Sequence, residues 1–100
     1  MKPIFVQIKC ELTKAMDVAA RLVEDIEETR EVYSTSGTFD LLAKFELEDE
    51  QSFGDFVTSK VQRVPGVRDT YSIVAFRLQW APRPDFEPRP QTLRKSQTGE

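Results

Sequence analysis

Glu31-Val32-Tyr33-Ser34-Thr35-Ser36-Gly37-Thr38-Phe39-Asp40-Leu41-Leu42-Ala43-Lys44-Phe45 reads as two strands joined by a short turn. Residues 31–35 and 39–47 carry the β-branched and aromatic residues of half-buried strands, and Ser36-Gly37-Thr38 supplies the turn chemistry between them. In the second strand Phe39, Leu41, Ala43, Phe45 and Leu47 form one row, which is expected to face a core. Asp40, Leu42, Lys44 and Glu46 form the other.

Residues 3–10 alternate Ile4, Val6, Ile8 and Cys10 against Phe5, Gln7 and Lys9, the period of a strand. Over 14–26 the period changes. Ala15, Val18, Ala19, Leu22, Val23 and Ile26 make one stripe, with Lys14, Asp17, Arg21, Glu24, Asp25 and Glu28 on the rest, and Thr13 offers a capping hydroxyl. A second helix is expected from a cap at Asp49 or Ser52 to Val64, with Phe53, Phe56, Val57, Val61 and Val64 inward and Pro65-Gly66 as its stop. Residues 68–78 read as the last strand.

The order is βαββαβ, an α+β chain of ferredoxin-like type. Right-handed crossovers place both helices on one face of a four-stranded antiparallel sheet. The other face does not read as a clean polar surface, because Phe5, Leu42, Tyr71, Ile73 and Ala75 fall on it. Two such faces packed together, as in a dimeric α/β barrel, would cover them. The fold is expected to occupy residues 1–80. Residues 81–100, with Pro82, Pro84, Pro88 and Pro90, have little to bury and are expected to form a disordered tail, with Trp80 at the junction.

One hundred residues make a single domain. The absence of histidine removes the usual nucleophile–base relays and His-containing metal sites. The acidic clusters read as solvated surface, and Gly37, Gly54 and Gly66 are too isolated for a phosphate loop. No catalytic residue, metal or cofactor is expected. A net charge of −3 opposes a nucleic-acid surface. The lone Cys10 reads as a buried small hydrophobe in a reducing, cytoplasmic setting, and no apolar run is long enough to span a membrane.

Asp40 has two readings, which can coexist. It can accept backbone N–H groups of the Ser36-Gly37-Thr38 loop, as in an Asx-type turn. It can also line a pocket in which turn N–H groups hold a ligand carboxylate and an acceptor holds its ammonium, with hydroxyls from Thr70, Tyr71 and Ser72 nearby.

The quoted hairpin resembles the Gly-x-x-Asp hairpin of the C-terminal effector domain of Lrp/AsnC transcriptional regulators. Val61-Gln62-Arg63-Val64-Pro65-Gly66-Val67-Arg68-Asp69-Thr70-Tyr71-Ser72 is similar to that family's helix end, Pro-Gly-Val turn and start of the last strand. Ile4-Phe5-Val6-Gln7-Ile8 and the helix after it agree, so the resemblance covers about residues 3–78. It implies βαββαβ subunits that pair through their sheets, assemble into rings of eight or ten, and bind small effectors, usually amino acids, in clefts between dimers. Gly37 and Asp40 then match the cleft loop, with Ser36, Thr38 and Phe39 on the same turn, and Thr70 and Ser72 match hydroxyl positions beyond the Pro-Gly turn.

With the first strand beginning at residue 3, the chain resembles a stand-alone effector domain without the helix-turn-helix unit. Such a domain would act on transcription by co-assembling with a full-length regulator, without binding DNA itself. An alternative reading is a structural or protein-interaction module with no small ligand. A third, a small enzyme on the same dimeric architecture, is opposed by the missing histidine.

Overall fold

The computed structural model describes residues 1–76 and 78–79; the expected tail and Trp80 lie outside the described residues. Four strands and two helical segments follow one another as β1 (Lys2–Cys10), α1 (Ala15–Asp25), β2 (Thr29–Ser34), β3 (Leu41–Leu47), α2 (Phe53–Phe56) and β4 (Val67–Val74). After Phe56, α2 runs directly into a π-helical turn, Val57–Val61. The sheet is antiparallel in the order β2-β3-β1-β4, the ferredoxin-like arrangement.

Register explains the core. Ile4 pairs with Phe45, Val6 with Ala43 and Ile8 with Leu41, so the buried rows of β1 and β3 share one face. Cys10 and Leu47 complete those rows. Val18, Leu22 and Ile26 from the α1 side and Phe56, Val57, Val61 and Val64 from the α2 side cover it. Phe45 and Phe56 meet edge-on, ring centroids 5.0 Å apart, where sheet and second helix join. Burial, with the charge of Asp40 added, pushes the Cys10 thiol up, so it stays protonated and behaves as a core side chain.

Several expected boundaries shift, each for a local reason. Thr13 does not cap α1. It stands at φ +68°, the Ncap position falls on Lys14, and no side chain caps the helix. The helix ends at Asp25 because Ile26 is already extended (φ −118°, ψ 106°). Beyond that point the helical period no longer predicts direction, and Glu28 is buried, not solvated. Val23, expected in the core stripe, is 62% exposed at the flank of that stripe. Phe39 precedes β3 and leaves the core row to meet Tyr71 on the opposite sheet face. Ser52 caps α2 by accepting from the Asp55 N–H at 3.3 Å, regular helix stops at Phe56, and the π-helical turn ends at Val61, short of Val64. β4 ends at Val74, four residues before the expected limit.

Glu28 forms a polar clamp at the sheet end where β1 starts. Lys60 donates to it at 2.9 Å and Gln51 at 3.0 Å. Gln51 in turn accepts from the Glu48 N–H at 2.6 Å through its side chain and from Lys2 at 2.5 Å through its carbonyl. Burial alone would raise the Glu28 carboxyl, but the hydrogen bonds from Lys60 and Gln51 outweigh it and hold the group below the usual carboxylate value.

Candidate functional site

The β2–β3 turn lies at the opposite end, beside the finish of β1 and the start of β4. Three bonds from Asp40 fix it there. Its N–H donates to the Ile8 carbonyl (2.9 Å), its carbonyl accepts from Thr35 N–H (2.9 Å), and its Oδ2 accepts from Cys10 N–H (2.8 Å). The Cys10 contact replaces the expected one: Asp40 anchors the turn to β1, thirty residues away, instead of folding the turn onto itself. Thr35 Oγ1 donates to the Phe39 carbonyl at 3.1 Å and closes the turn's base.

Ser36, Gly37 and Thr38 lie beyond this base and are exposed. Gly37 has φ +100° and open space around a would-be Cβ, so glycine is required here by backbone conformation, not by a close neighbour. Phe39 is half-buried, its ring centroid 6.3 Å from that of Tyr71.

Thr70 reaches the same end from β4, on the other side of β1, and Ser72 lies opposite the middle of β1. Thr70 pairs with Ile8, and Ser72 with Val6, so both side chains take the helix-side row. Thr70 Oγ1 accepts from Gln62 Nε2 at 2.9 Å, while Ser72 is exposed. Asp40 and Thr70 thus flank Ile8, two strand spacings or roughly 10 Å apart. The structure brings the turn residues and Thr70 to one end of the sheet, with Ser72 further along β4, but not into one cleft of a single chain. The cavity that reaches Asp40, about 290 Å³, is walled by the β1–α1 loop and Arg68, not by Thr70 or Ser72.

Sequence reasoning passed over those walls. Leu12 and Met16 carry no motif, and the only signal for them was an apolar pair four residues apart on the outer side of a helix start. Cys10 acts through its backbone N–H, which no residue type announces.

Residues 4–79 match the Lrp/AsnC ligand binding domain family. Over 73 residues the chain is 30% identical to the HTH-type transcriptional regulator FL11 of Pyrococcus abyssi, covering 73% of this chain and 47% of that regulator. It therefore spans about half the length of this relative. The crystal structure of TTHA0845 from Thermus thermophilus superposes with a TM-score of 0.70 at 31% identity, covering 83% of this chain and all of that one. The structure of the Neisseria meningitidis transcriptional regulator NMB0573 in complex with L-Met has the same fold, with a TM-score of 0.67 at 20% identity over 80% of this chain and 53% of that one. Fold, hairpin and Pro-Gly turn agree with these matches, and the chain belongs to the Lrp/AsnC family through its ligand binding domain.

Proposed function

We propose that this domain is an amino-acid-binding regulatory module whose site is formed by Ser36, Gly37, Thr38, Phe39, Asp40, Thr70 and Ser72. The observation that carries the reading is the anchoring of Asp40 to Cys10, Ile8 and Thr35. It makes the base of the turn rigid while the hydroxyls of Ser36 and Thr38 and the backbone around Gly37 stay open to an incoming polar ligand. The L-Met complex of NMB0573, a structure of the same fold, supports an amino acid as the ligand class. Subunits pair through their open sheet faces, and larger rings bring the hydroxyls of β4 and the turn of a neighbour to one cleft. The module modulates transcription by joining full-length relatives such as FL11-type regulators, without DNA contacts of its own. Among the described residues no helix is long and apolar enough to cross a membrane.

The test is thermal unfolding of the full chain with each of the twenty amino acids. A ligand present at one hundred times its dissociation constant adds about 2.7 kcal/mol. A selective rise in midpoint with one or a few amino acids is expected. Asp40→Asn keeps an oxygen for the Cys10 N–H and removes the charge. It is expected to weaken that ligand while preserving the fold, and unchanged affinity would remove Asp40 from the site.

The open sheet face favours a second reading, a protein-interaction module without a small ligand. A flat response to all twenty amino acids, together with stable self-association, would select it.

A further inference from the structure

The family match ends at residue 79, and residues 80–100 continue beyond it. Their most regular stretch is Pro82-Arg83-Pro84-Asp85-Phe86-Glu87-Pro88-Arg89-Pro90, where prolines, arginines and carboxylates are arranged symmetrically about one phenylalanine. Proline lacks the N–H a sheet ladder needs and fixes φ near −65°, so the ordered state open to such a stretch is an extended polyproline II helix. Helices of that kind bind aromatic-lined surfaces, because they are already stiff and lose little entropy on docking.

The sheet face turned away from the helices is a surface of this kind. Register brings Phe5, Tyr33 and Tyr71 to it with Leu42 and Ile73 among them, and Phe39 joins through its contact with Tyr71. Tyr33, Tyr71 and Ile73 are exposed. The chain also leaves the domain beside this face. β4, an edge strand, ends at Val74 opposite Ile4, and Phe76 and Leu78 just beyond it are 85% and 92% exposed. At ~3.1 Å per residue, residues 75–81 reach about 22 Å, enough to reverse direction, and Pro82–Pro90 covers about 28 Å. The face is three strand spacings wide, roughly 14 Å, and roughly 26 Å long, so the stretch fits on it.

We propose that the segment Pro82–Pro90 folds back onto the open sheet face of its own chain and competes there with a second copy. The inference rests on the sheet-to-sheet pairing proposed above and adds to it a built-in brake. Tethered by a short linker, the segment meets the face at an effective concentration of about millimolar, whereas a second copy is present only at its own concentration. Two copies therefore pair only when they displace both tails.

The test uses the full chain, wild type and a Phe86→Ser variant that also carries Pro84→Gly and Pro88→Gly. All three positions lie outside the described residues, so an unchanged circular dichroism spectrum is expected. Sedimentation equilibrium from micromolar to nanomolar protein measures pairing. Amide NMR spectra at a concentration where both proteins are monomeric locate the tail. The variant is expected to pair about tenfold or more tightly than wild type. Amides of Phe5, Leu42, Tyr71 and Ile73 are expected to shift between the two monomers, with those of α1 unmoved. Equal dissociation constants overturn the inference and leave the pairing intact. Weaker pairing of the variant overturns it too, by making the tail part of the dimer contact, as does a wild type still dimeric at nanomolar protein. If neither protein pairs at any concentration, the pairing reading fails by itself. The amide shifts then decide alone: their presence upholds docking of the tail on the sheet, and their absence overturns it.

Discussion

Gly66 and Gly37 both hold positive φ, at +97° and +100°, yet they answer to different constraints. A Cβ on Gly66 would lie 2.9 Å from Val18 Cγ2 and 3.2 Å from Lys14 Cβ, both at the start of α1. One on Gly37 would meet nothing within 4 Å. Gly66→Ala thus adds a steric clash to left-handed strain and is expected to cost about 2–4 kcal/mol, against about 1 kcal/mol for Gly37→Ala. Urea denaturation of the two variants should separate them by at least the difference. Equal losses would mean that α1 yields freely at its first turn. Glu28 makes a second prediction at this scale, now in pH. Its folded value is depressed, so its contribution is complete above the usual glutamate pKa of about 4.3 and is lost as pH falls through the lower folded value. Glu28→Gln should cost about 1–2 kcal/mol at pH 7. It should also show a smaller loss of stability than wild type between about pH 5 and pH 3. Parallel acid profiles for the two proteins would show that the Lys60 and Gln51 contacts contribute nothing net.

Within α1, neighbouring residues should respond in opposite ways. Leu22 is fully buried in the core, and Leu22→Ala is expected to cost about 2–5 kcal/mol by transfer and cavity terms. Val23, adjacent in sequence but outside the core, should tolerate Val23→Ala within about 0.5 kcal/mol. Chemical denaturation of both checks the placement of the helix face. β1, β3 and α1 were legible from period, because each buries a regular row or stripe: Ile4, Val6, Ile8 in β1, Leu41, Ala43, Phe45 in β3, Val18 and Leu22 in α1. β2 and β4 bury no residue and were legible through the turns that bound them. What periodicity does not carry is where a period stops. Ile26 turns extended one residue after the helix, and Glu28, in the turn that precedes β2, points inward to Lys60. Val57–Val61 widens to i→i+5 bonding, seen in the Gln62 N–H donating to the Val57 carbonyl at 2.8 Å, and shortens the expected second helix. The candidate site was legible only where residue type carries the chemistry. The Gly37–Asp40 turn could be read, whereas the Cys10 N–H that engages Asp40 and the Leu12–Met16 rim depend on strands and loops brought together by the sheet.

For the molecule as a unit, the decisive surface is the sheet face turned away from the helices. Register places Phe5 between Lys44 and Ile73, and Gln7 between Leu42 and Tyr71, so each of the three strands contributes apolar side chains to a band that Gln7 and Lys44 interrupt. Tyr33, opposite Leu42, extends it to β2. Polar groups do not break the band evenly: Lys44 and Glu46 pair with each other at 3.7 Å and remain largely covered by their neighbours. Tyr71, Tyr33 and Ile73, at 59%, 53% and 42% exposure, all gain from a partner on this face. Phe39 joins the same face through its contact with Tyr71, which ties the β2–β3 turn to whatever covers the sheet. If two copies pack face to face, a charge at Ile73 meets its symmetry mate's apolar band in a desolvated interface, where an unpaired carboxylate costs several kcal/mol. Ile73→Asp should therefore convert a dimer to monomer in analytical ultracentrifugation. In the monomer the substituted side chain stays on an open face, so circular dichroism should retain the folded spectrum. A smaller effect of Val23→Asp, a comparable charge on the helix side, would localise the interface to the sheet. Dissociation by both substitutions alike would point to general destabilisation, and dissociation by Val23→Asp alone would move the interface to the helices.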